Sequence, residues 1–395
     1  MNSSPNRVIF RGAKLALALL VFCSGFTALS AQNPEGTPPA AAAQEPEQNR
    51  IEEALKGLNR GRSVLQVAVS PDGKHVAWVE WAGDGQEIRV ARIEDLQKSE
   101  RVSAAPKNEE TCLENEIAWA PDAKALAFFS DCAHPGKQAN LYLSRLNGEP
   151  ARRLTDLKGA VDAPAFSPDG TRIAFLYVEG ATRTAGALAA MKPPAGVIGE
   201  DGVEIQRVAV AAIAQSGPIR TGLLSLEQVS PANLHVYEFD WRRDSKGFAY
   251  VGADPPGENN WWVAKLYTQT IGEPPKVVLA PATVEGALHG LQIAVPRWSP
   301  DGKDIAFIGG LMSDQGATGG DVWMVPAEGG VPHNLSQGRP TTSVWLEWGS
   351  DEFLYVSELA GGNSQLIRYR LNRQVAGSDL ATVIFLICAL NLSWI

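Results

Sequence analysis

Hydrophobic residues in this chain lie in short runs separated by polar turns, a pattern that predicts β-strands. The clearest example is the stretch 295–308, in which a strand-like segment ending at Trp298 and an apolar run from residue 304 to residue 308 are joined by the turn Ser-Pro-Asp-Gly. Each turn residue has a conformational role. Pro300 pre-sets φ at the first corner, Asp301 can hydrogen-bond its own backbone, and Gly302 tolerates a positive φ. The stretch therefore predicts a β-hairpin.

The same hairpin recurs along the chain. The aligned turn aspartates are Asp72, Asp122, Asp169, Asp244, Asp301 and Asp351. Repeats of roughly 40–50 residues, each with a few short strands, are typical of β-propellers. Each hairpin is followed by outer strand-like segments. The sequence thus predicts an all-β fold, a β-propeller of four-stranded blades with six recognisable repeats, in a ring that is incomplete at the C-terminus.

The segments that flank the repeats differ in composition. Residues 1–31 combine basic residues, a short apolar core and small residues at the end, which predicts a signal peptide and a periplasmic or secreted location. A membrane anchor is the alternative, but it needs ~20 apolar residues and the segment has about half of that. The composition of residues 32–50 predicts a disordered linker. Residues 51–373 contain the repeats and are predicted to form the propeller.

The C-terminal segment 374–395 is a hydrophobic tail that departs from the repeat pattern. Residues 380–395 carry no charge, and their length barely suffices to cross a thinned bilayer. We interpret the tail as a truncated or frame-shifted end. A closing strand and a membrane contact are the alternatives. No firm membrane span is expected in the mature chain.

One face of each first strand is apolar at two positions. We expect these pairs to pack between neighbouring blades. They are Val67/Val69, Ile117/Trp119, Pro164/Phe166, Phe239/Trp241, Pro296/Trp298 and Leu346/Trp348.

The opposite face of the first strands carries charged residues. Because innermost strands border the central channel of a propeller, these residues are candidates to line it. They are Glu116, Glu238, Asp240, Arg297 and Glu347. The last three fall on consecutive blades. They form either an ion network between blades or a contact surface for a substrate, and the network is the favoured interpretation.

Cys112 and Cys132 flank the second hairpin. Antiparallel partners around a turn centred at residue 122 have numbers that sum to roughly 244, as these two do. The thiols would then face each other, which predicts a disulfide in an oxidising compartment. The alternative is two separate buried thiols.

Charge and composition exclude several function classes. The net charge is −9 and there is no basic run, which argues against nucleic acid, because phosphate binding needs clustered Lys and Arg. No His/Cys/Asp cluster has metal-ligand spacing, and no glycine-rich phosphate loop occurs. We therefore predict no metal and no cofactor.

The repeated Ser-Pro-Asp-Gly-Lys-x-x-Ala-Phe/Trp unit resembles the repeat of TolB-like proteins and of the N-terminal propellers of prolyl-oligopeptidase-family serine peptidases. Residues 54–63 and 234–241 (Leu-His-Val-Tyr-Glu-Phe-Asp-Trp) are similar to acylaminoacyl-peptidase and dipeptidyl-peptidase-like members. The resemblance covers about residues 51–372. It implies a propeller that filters substrates by size and helps to hold a peptide, beside an α/β-hydrolase domain.

The chain departs from that family in its chemistry. It has no Gly-x-Ser-x-Gly elbow, and the nearest match, residues 361–365, lacks the second glycine. The α/β-hydrolase domain is absent here, so we predict no hydrolase activity. From the resemblance to the peptidase propellers we expect a peptide or protein ligand. The main alternative is a stand-alone TolB-like periplasmic interaction propeller. An enzyme built on the propeller alone, with Glu238 and Asp240 as its acid pair, is a third hypothesis.

Overall fold

The computed structural model describes residues 63–82, 85–105, 112–181, 203–213, 223–257, 260–312, 318–349, 353–371 and 381–386. The predicted signal peptide and linker lie outside these residues. Within the described residues, 24 β-strands account for nearly all regular structure, and only three short 3₁₀ segments interrupt them.

The strands form consecutive antiparallel blades. Blade 1 contains β1 (Val64–Val69), β2 (His75–Ala82), β3 (Gly85–Arg92) and β4 (Asp95–Val102). Blade 2 contains β5 (Glu114–Trp119), β6 (Leu126–Ser130), β7 (Asn140–Ser144) and β8 (Arg152–Arg153). Blade 3 contains β9 (Gly159–Phe166), β10 (Arg172–Glu179), β11 (Arg207–Ala212) and β12 (Leu226–Gln228).

The second half of the chain continues the series. Blade 4 contains β13 (His235–Trp241), β14 (Gly247–Ala253), β15 (Lys265–Thr270) and β16 (Lys276–Leu279). Blade 5 contains β17 (Gln292–Trp298), β18 (Asp304–Met312), β19 (Thr318–Pro326) and β20 (His333–Asn334). Blade 6 contains β21 (Thr342–Trp348), β22 (Leu354–Ala360), β23 (Asn363–Leu371) and β24 (Ala381–Leu386). The prediction of an all-β propeller of four-stranded blades is confirmed.

Part of the C-terminal tail belongs to the last blade. Strand β24 pairs antiparallel with β23, from Leu371 opposite Ala381 to Leu366 opposite Leu386. Residues 381–386 thus supply the outer strand of blade 6, and the rest of the segment 374–395 lies outside the described residues. Blades 5 and 6 also touch through one pairing, Gly320 with Ser343.

The predicted turns owe their shape to their own side chains. Ser70 Oγ donates to Asp72 Oδ1 at 2.6 Å, and the same carboxylate accepts from Lys74 N at 3.1 Å. The corresponding bond from Ser299 Oγ to Asp301 Oδ1 measures 2.8 Å. Because these contacts span only two residues, the Ser-Pro-Asp-Gly sequence specifies the turn locally.

Four hydrophobic clusters fill the junctions between blades. One joins blades 1 and 2, the next blades 2 and 3, the third blades 3 and 4, and the largest blades 4, 5 and 6. Among the described residues, no such cluster joins blade 6 to blade 1. The core is therefore a row of aromatic and aliphatic layers that runs from the first blade to the sixth.

The apolar pairs of the first strands largely take the expected place. The tryptophans at this position are buried against the preceding blade, and their indoles hydrogen-bond to it in two cases: Trp119 Nε1 donates to Ala68 O at 3.0 Å, and Trp241 Nε1 to Ala165 O at 3.1 Å. The prediction is wrong for Val69, which is 52% exposed. The reason is that this position packs on the preceding blade, and in the described chain blade 1 has none.

Candidate functional site at the inner strands

A β-bulge interrupts the innermost strand of every blade. The register shifts before Gln66, Ala118, Ala165, Glu238, Arg297 and Trp345. A bulge leaves one residue unpaired and redirects the side chains around it. In blades 2, 3 and 5 the bulge includes a non-glycine residue with positive φ, namely Glu116 (53°), Ala163 (51°) and Val295 (54°).

In two of these bulges, a polar side chain from the preceding blade accepts a hydrogen bond from a backbone N–H group of the bulge. Gln66 Oε1 in blade 1 accepts from Ile117 N in blade 2 at 2.9 Å. Glu238 Oε2 in blade 4 accepts a short hydrogen bond from Val295 N in blade 5. Gln66 and Glu238 occupy the same position in their repeats, six residues before the turn aspartate, so this type of contact ties one blade to the next in two places.

Asp240 makes a second tie between blades 4 and 5. Its Oδ2 accepts from Trp298 N at 2.8 Å. Asp240 keeps some accessible surface, but it lies deep in the molecule. This burial, strengthened by the charge of Glu347 and opposed by that of Arg297, raises the pKa of Asp240 to about 6.

Arg297 connects blade 5 to blade 6. It is only 8% exposed, its Nε donates to Glu347 Oε2 at 2.8 Å, and its Nη1 donates to Pro296 O at 2.8 Å. Burial acts to lower the pKa of Arg297, but the surrounding carboxylates, Glu347 first, outweigh it and raise the pKa. Arg297 therefore stays charged, and its three acidic neighbours leave the cluster net negative.

We call Glu238, Asp240, Arg297 and Glu347 the inner acidic cluster. The structure brings these four predicted residues together across blades 4, 5 and 6. Glu116 is different, since no described hydrogen bond or ion pair joins it to the other four. The Glu347 side chain keeps 35% of its surface exposed, so the cluster remains open to solvent on that side.

The structure joins Cys112 and Cys132 by a disulfide with a Cα–Cα distance of 5.1 Å. The bond links Cys112, two residues before β5, to the loop after β6. Beside it lies Glu114, a fully buried carboxyl that the sequence analysis did not single out. Its position two residues after Cys112 was the available signal, because alternate residues of an extended segment face the same side.

No group of three or more His, Cys, Asp or Glu side chains is placed to hold a metal ion in the described ranges. The described part of the chain contains no helix with the length and apolar character needed to span a membrane.

Comparison with known proteins gives limited but consistent similarity. No family model matches the chain. It is 30% identical over 111 residues to the uncharacterized peptidase YuxL of Bacillus subtilis, a match that covers 28% of this chain and 17% of that protein. It is 29% identical over 124 residues to the protein TolB homolog of Chlorobium luteolum, covering 31% and 26%. The matched segment thus spans about a quarter or less of each relative.

A solved structure also shows the fold. The acylaminoacyl peptidase of Pyrococcus horikoshii matches with a TM-score of 0.50 and 12% identity, over 79% of this chain and 45% of that one. At this identity the likeness concerns the fold alone. Together with the two sequence matches, it confirms the resemblance to TolB-like and peptidase propellers that the repeats predict.

Proposed function

We propose that this chain is a non-catalytic β-propeller that binds a peptide or protein segment at its centre, as the propeller portion of a secreted serine peptidase of the prolyl-oligopeptidase family. The observation that carries the proposal is the inner acidic cluster. It places three carboxylates around one buried guanidinium on the first strands of blades 4, 5 and 6. The similarity to a peptidase over 111 residues supports the family assignment.

The charge of the cluster indicates the kind of ligand. Arg297 neutralises at most one of its three acidic neighbours, so the cluster attracts cations. A partly buried site strengthens this attraction, because the effective dielectric constant there is lower than that of water. A peptide with Lys or Arg side chains therefore fits the site better than an acidic peptide does.

A binding experiment tests this proposal. The full chain is titrated with fluorescent peptides of about ten residues that are basic, neutral or acidic, at low and at moderate salt. We expect the basic peptide to bind most tightly and to lose affinity as salt rises. Glu347→Gln should weaken its binding, whereas Glu227→Gln, the same charge change at an exposed site on β12, should not. Equal affinity for all three peptides contradicts the proposal.

The absence of catalysis is tested separately. The chain is incubated with chromogenic acyl-peptide substrates, and product release is followed. We expect none above the background hydrolysis. Turnover that survives repurification overturns the non-catalytic assignment, and loss of that turnover in Glu238→Gln or Asp240→Asn would favour the acid-pair hypothesis.

The second candidate function is a stand-alone interaction propeller of the TolB kind. It is favoured by the 29% identity over 124 residues to a TolB homolog. The two candidates differ in the ligand that they require. A stand-alone interaction propeller should retain a folded protein from a cell-envelope extract, and short peptides of any charge should not compete with it.

We also propose that the chain is exported to the periplasm or secreted. The disulfide between Cys112 and Cys132 supports this location, because such bonds persist in oxidising compartments. An alkaline phosphatase fusion, which is active only after export, tests it. Activity should need residues 1–31, and full activity without them contradicts the proposal.

A further inference from the structure

The carboxyl of Glu114 lies in contact with the disulfide. Its Oε1 lies 3.6 Å from Cys132 Sγ, and the Glu114 side chain is fully buried. The same oxygen accepts from Ala104 N at 2.6 Å and from Ser103 Oγ at 3.0 Å. Glu114 Oε2 is also buried, and it has no hydrogen-bond partner among the described residues.

A buried carboxyl without a full set of donors holds its proton tightly. Burial raises the pKa of Glu114 to about 7, although the bonds from Ala104 and Ser103 act against this rise. A disulfide sulfur has no hydrogen to donate, so in the oxidised chain Cys132 does not help to stabilise the ionised form.

Charged and titratable groups from two blades surround Glu114. In blade 1, Arg101 lowers the pKa of Glu114 and Glu87 raises it. In blade 2, burial raises the pKa of Tyr142, and the charges of Glu114 and Asp131 raise it further. Asp131 is itself engaged, because its carboxylate accepts from Leu113 N at 2.8 Å and from Gly136 N at 2.7 Å.

The two cysteine residues differ in exposure. Cys112 is buried at 5% exposure, whereas Cys132 is half-buried. An incoming thiolate therefore reaches Cys132 Sγ more readily, and the sulfur that it reaches is the one beside Glu114.

We propose that Cys112 and Cys132 form a reversible redox pair coupled to Glu114: reduction turns Cys132 Sγ into a thiol that donates to Glu114 Oε1, so that reduction favours the carboxylate and releases its proton. This inference is independent of the proposed peptide-binding function.

The reductant is a dithiol, and the reaction balances. Its thiolate attacks Cys132 Sγ, the S–S bond breaks, and Cys112 leaves as a thiolate that takes a proton from solvent. The second thiol of the reductant then attacks the first, closes the disulfide of the reductant and releases Cys132. Two electrons and two protons pass from the dithiol to the protein. The proton lost by Glu114 goes to solvent.

This coupling has a definite sign. The new S–H donor lowers the pKa of Glu114 in the reduced chain relative to the oxidised chain. Between these two pKa values, each reduction event releases one proton. The equilibrium constant for reduction by a reference dithiol therefore rises with pH, by up to tenfold per unit, and levels off above about pH 7. Without the coupling it is independent of pH in this range, because both dithiols keep their protons.

The experiment equilibrates the full chain with reduced and oxidised dithiothreitol at several values from about pH 5 to about pH 7.5, well below the pKa of ordinary thiols. The reduced fraction is measured by alkylation and mass spectrometry. We expect the equilibrium constant to rise about tenfold over this range in the wild type and to be flat in Glu114→Gln, which cannot ionise. Glu87→Gln, a matched change that leaves the sulfur contact intact, should keep the rise.

A second measurement covers the case in which Glu114→Gln does not fold. The Glu114 carboxyl of the wild type is titrated by carbon-13 NMR in the oxidised and the reduced chain. We expect a lower pKa in the reduced chain. A flat equilibrium constant in the wild type, or an unchanged or higher Glu114 pKa after reduction, overturns the proposal.

Discussion

Arg297 in blade 5 donates through Nε to Glu347 Oε2 in blade 6 at 2.8 Å, and this ion pair lies on the innermost strands. The guanidinium is 10% exposed and the carboxylate 35%, so water reaches the pair mainly from the Glu347 side. Each of the two blades therefore holds a charge whose partner belongs to the other blade. Separating the blades would leave both charges without this partner.

Arg297→Met is expected to destabilise the chain. It removes the buried cation and leaves Asp240, Glu238 and Glu347 without a neutralising partner. Loss of one partner of a buried pair costs about 3–5 kcal/mol, and the exposure of Glu347 reduces this to roughly 1–3 kcal/mol. Thermal and urea unfolding measure the change.

The control for this prediction is Arg92→Met. Arg92 pairs with Glu94 at 3.4 Å on the surface, where both side chains are more than half exposed. Such a pair contributes about 0–1 kcal/mol, so the control should change the melting temperature little. An unchanged melting temperature in Arg297→Met would show that these charges do not hold blades 5 and 6 together.

Glu238→Ala and Glu238→Gln should differ in stability. The alanine variant leaves Val295 N without its acceptor, at a cost of about 1–3 kcal/mol for an unsatisfied buried donor. The glutamine variant keeps an acceptor oxygen and should lose much less. The free energy of unfolding in urea measures both.

Gln66 offers a matched test in another blade. Gln66→Ala removes the acceptor of Ile117 N and should cost a similar amount, whereas Gln66→Glu should be tolerated. If both alanine variants unfold like the wild type, then water replaces the missing acceptor, and these side chains do not tie the blades together.

Asp240 should make stability depend on pH. Its pKa is raised to about 6 from the ordinary 3.8, so the folded chain binds the proton more tightly than the unfolded chain does. Stability should therefore fall as pH rises through the window from about 4 to about 6, and the loss should be complete above it. Because Asp240 keeps some solvent contact and Arg297 lies nearby, the loss is on the order of 1–2 kcal/mol.

Asp240→Asn isolates this effect. Its amide oxygen can still accept from Trp298 N, but the side chain does not titrate. The difference in unfolding free energy between wild type and variant should change between about pH 4.5 and about pH 7.5, in favour of the variant at the higher pH. Glu114 titrates in both proteins and cancels. A difference that is constant with pH contradicts the raised pKa.

The turns show why so much of the fold was predictable from the sequence. In each of blades 1, 3 and 5, the serine and aspartate of the turn bond to each other and to nearby backbone, so three or four adjacent residues carry the information. Repetition of this local signal then sets the number of blades. The charged face of the inner strands was equally readable, because strand residues alternate between two faces.

Other features depend on contacts that are distant in the chain. The exposure of Val69 depends on whether another blade covers blade 1. The partners of Gln66 and Glu238 depend on bulges whose place no side-chain pattern marks. The raised pKa of Glu114 depends on burial by segments from two blades. These properties arise only when the blades are assembled, so they could not be predicted from the sequence pattern.

The last prediction concerns the left-handed turn position. Gly73, Gly170 and Gly302 have φ between 69° and 71°, whereas Ala123 occupies the same position of blade 2 with φ of 60°. An L-residue in this region is strained by about 1–2 kcal/mol, and glycine costs about 0.5–1 kcal/mol in extra unfolded-state entropy. Ala123→Gly should therefore stabilise the chain slightly, by about 0.5–1 kcal/mol.

Gly302→Ala, where an added Cβ would meet no atom within 4 Å, should destabilise the chain through backbone strain alone. Urea unfolding of both variants measures the pair of effects. If Ala123→Gly loses stability, then backbone strain does not control this position.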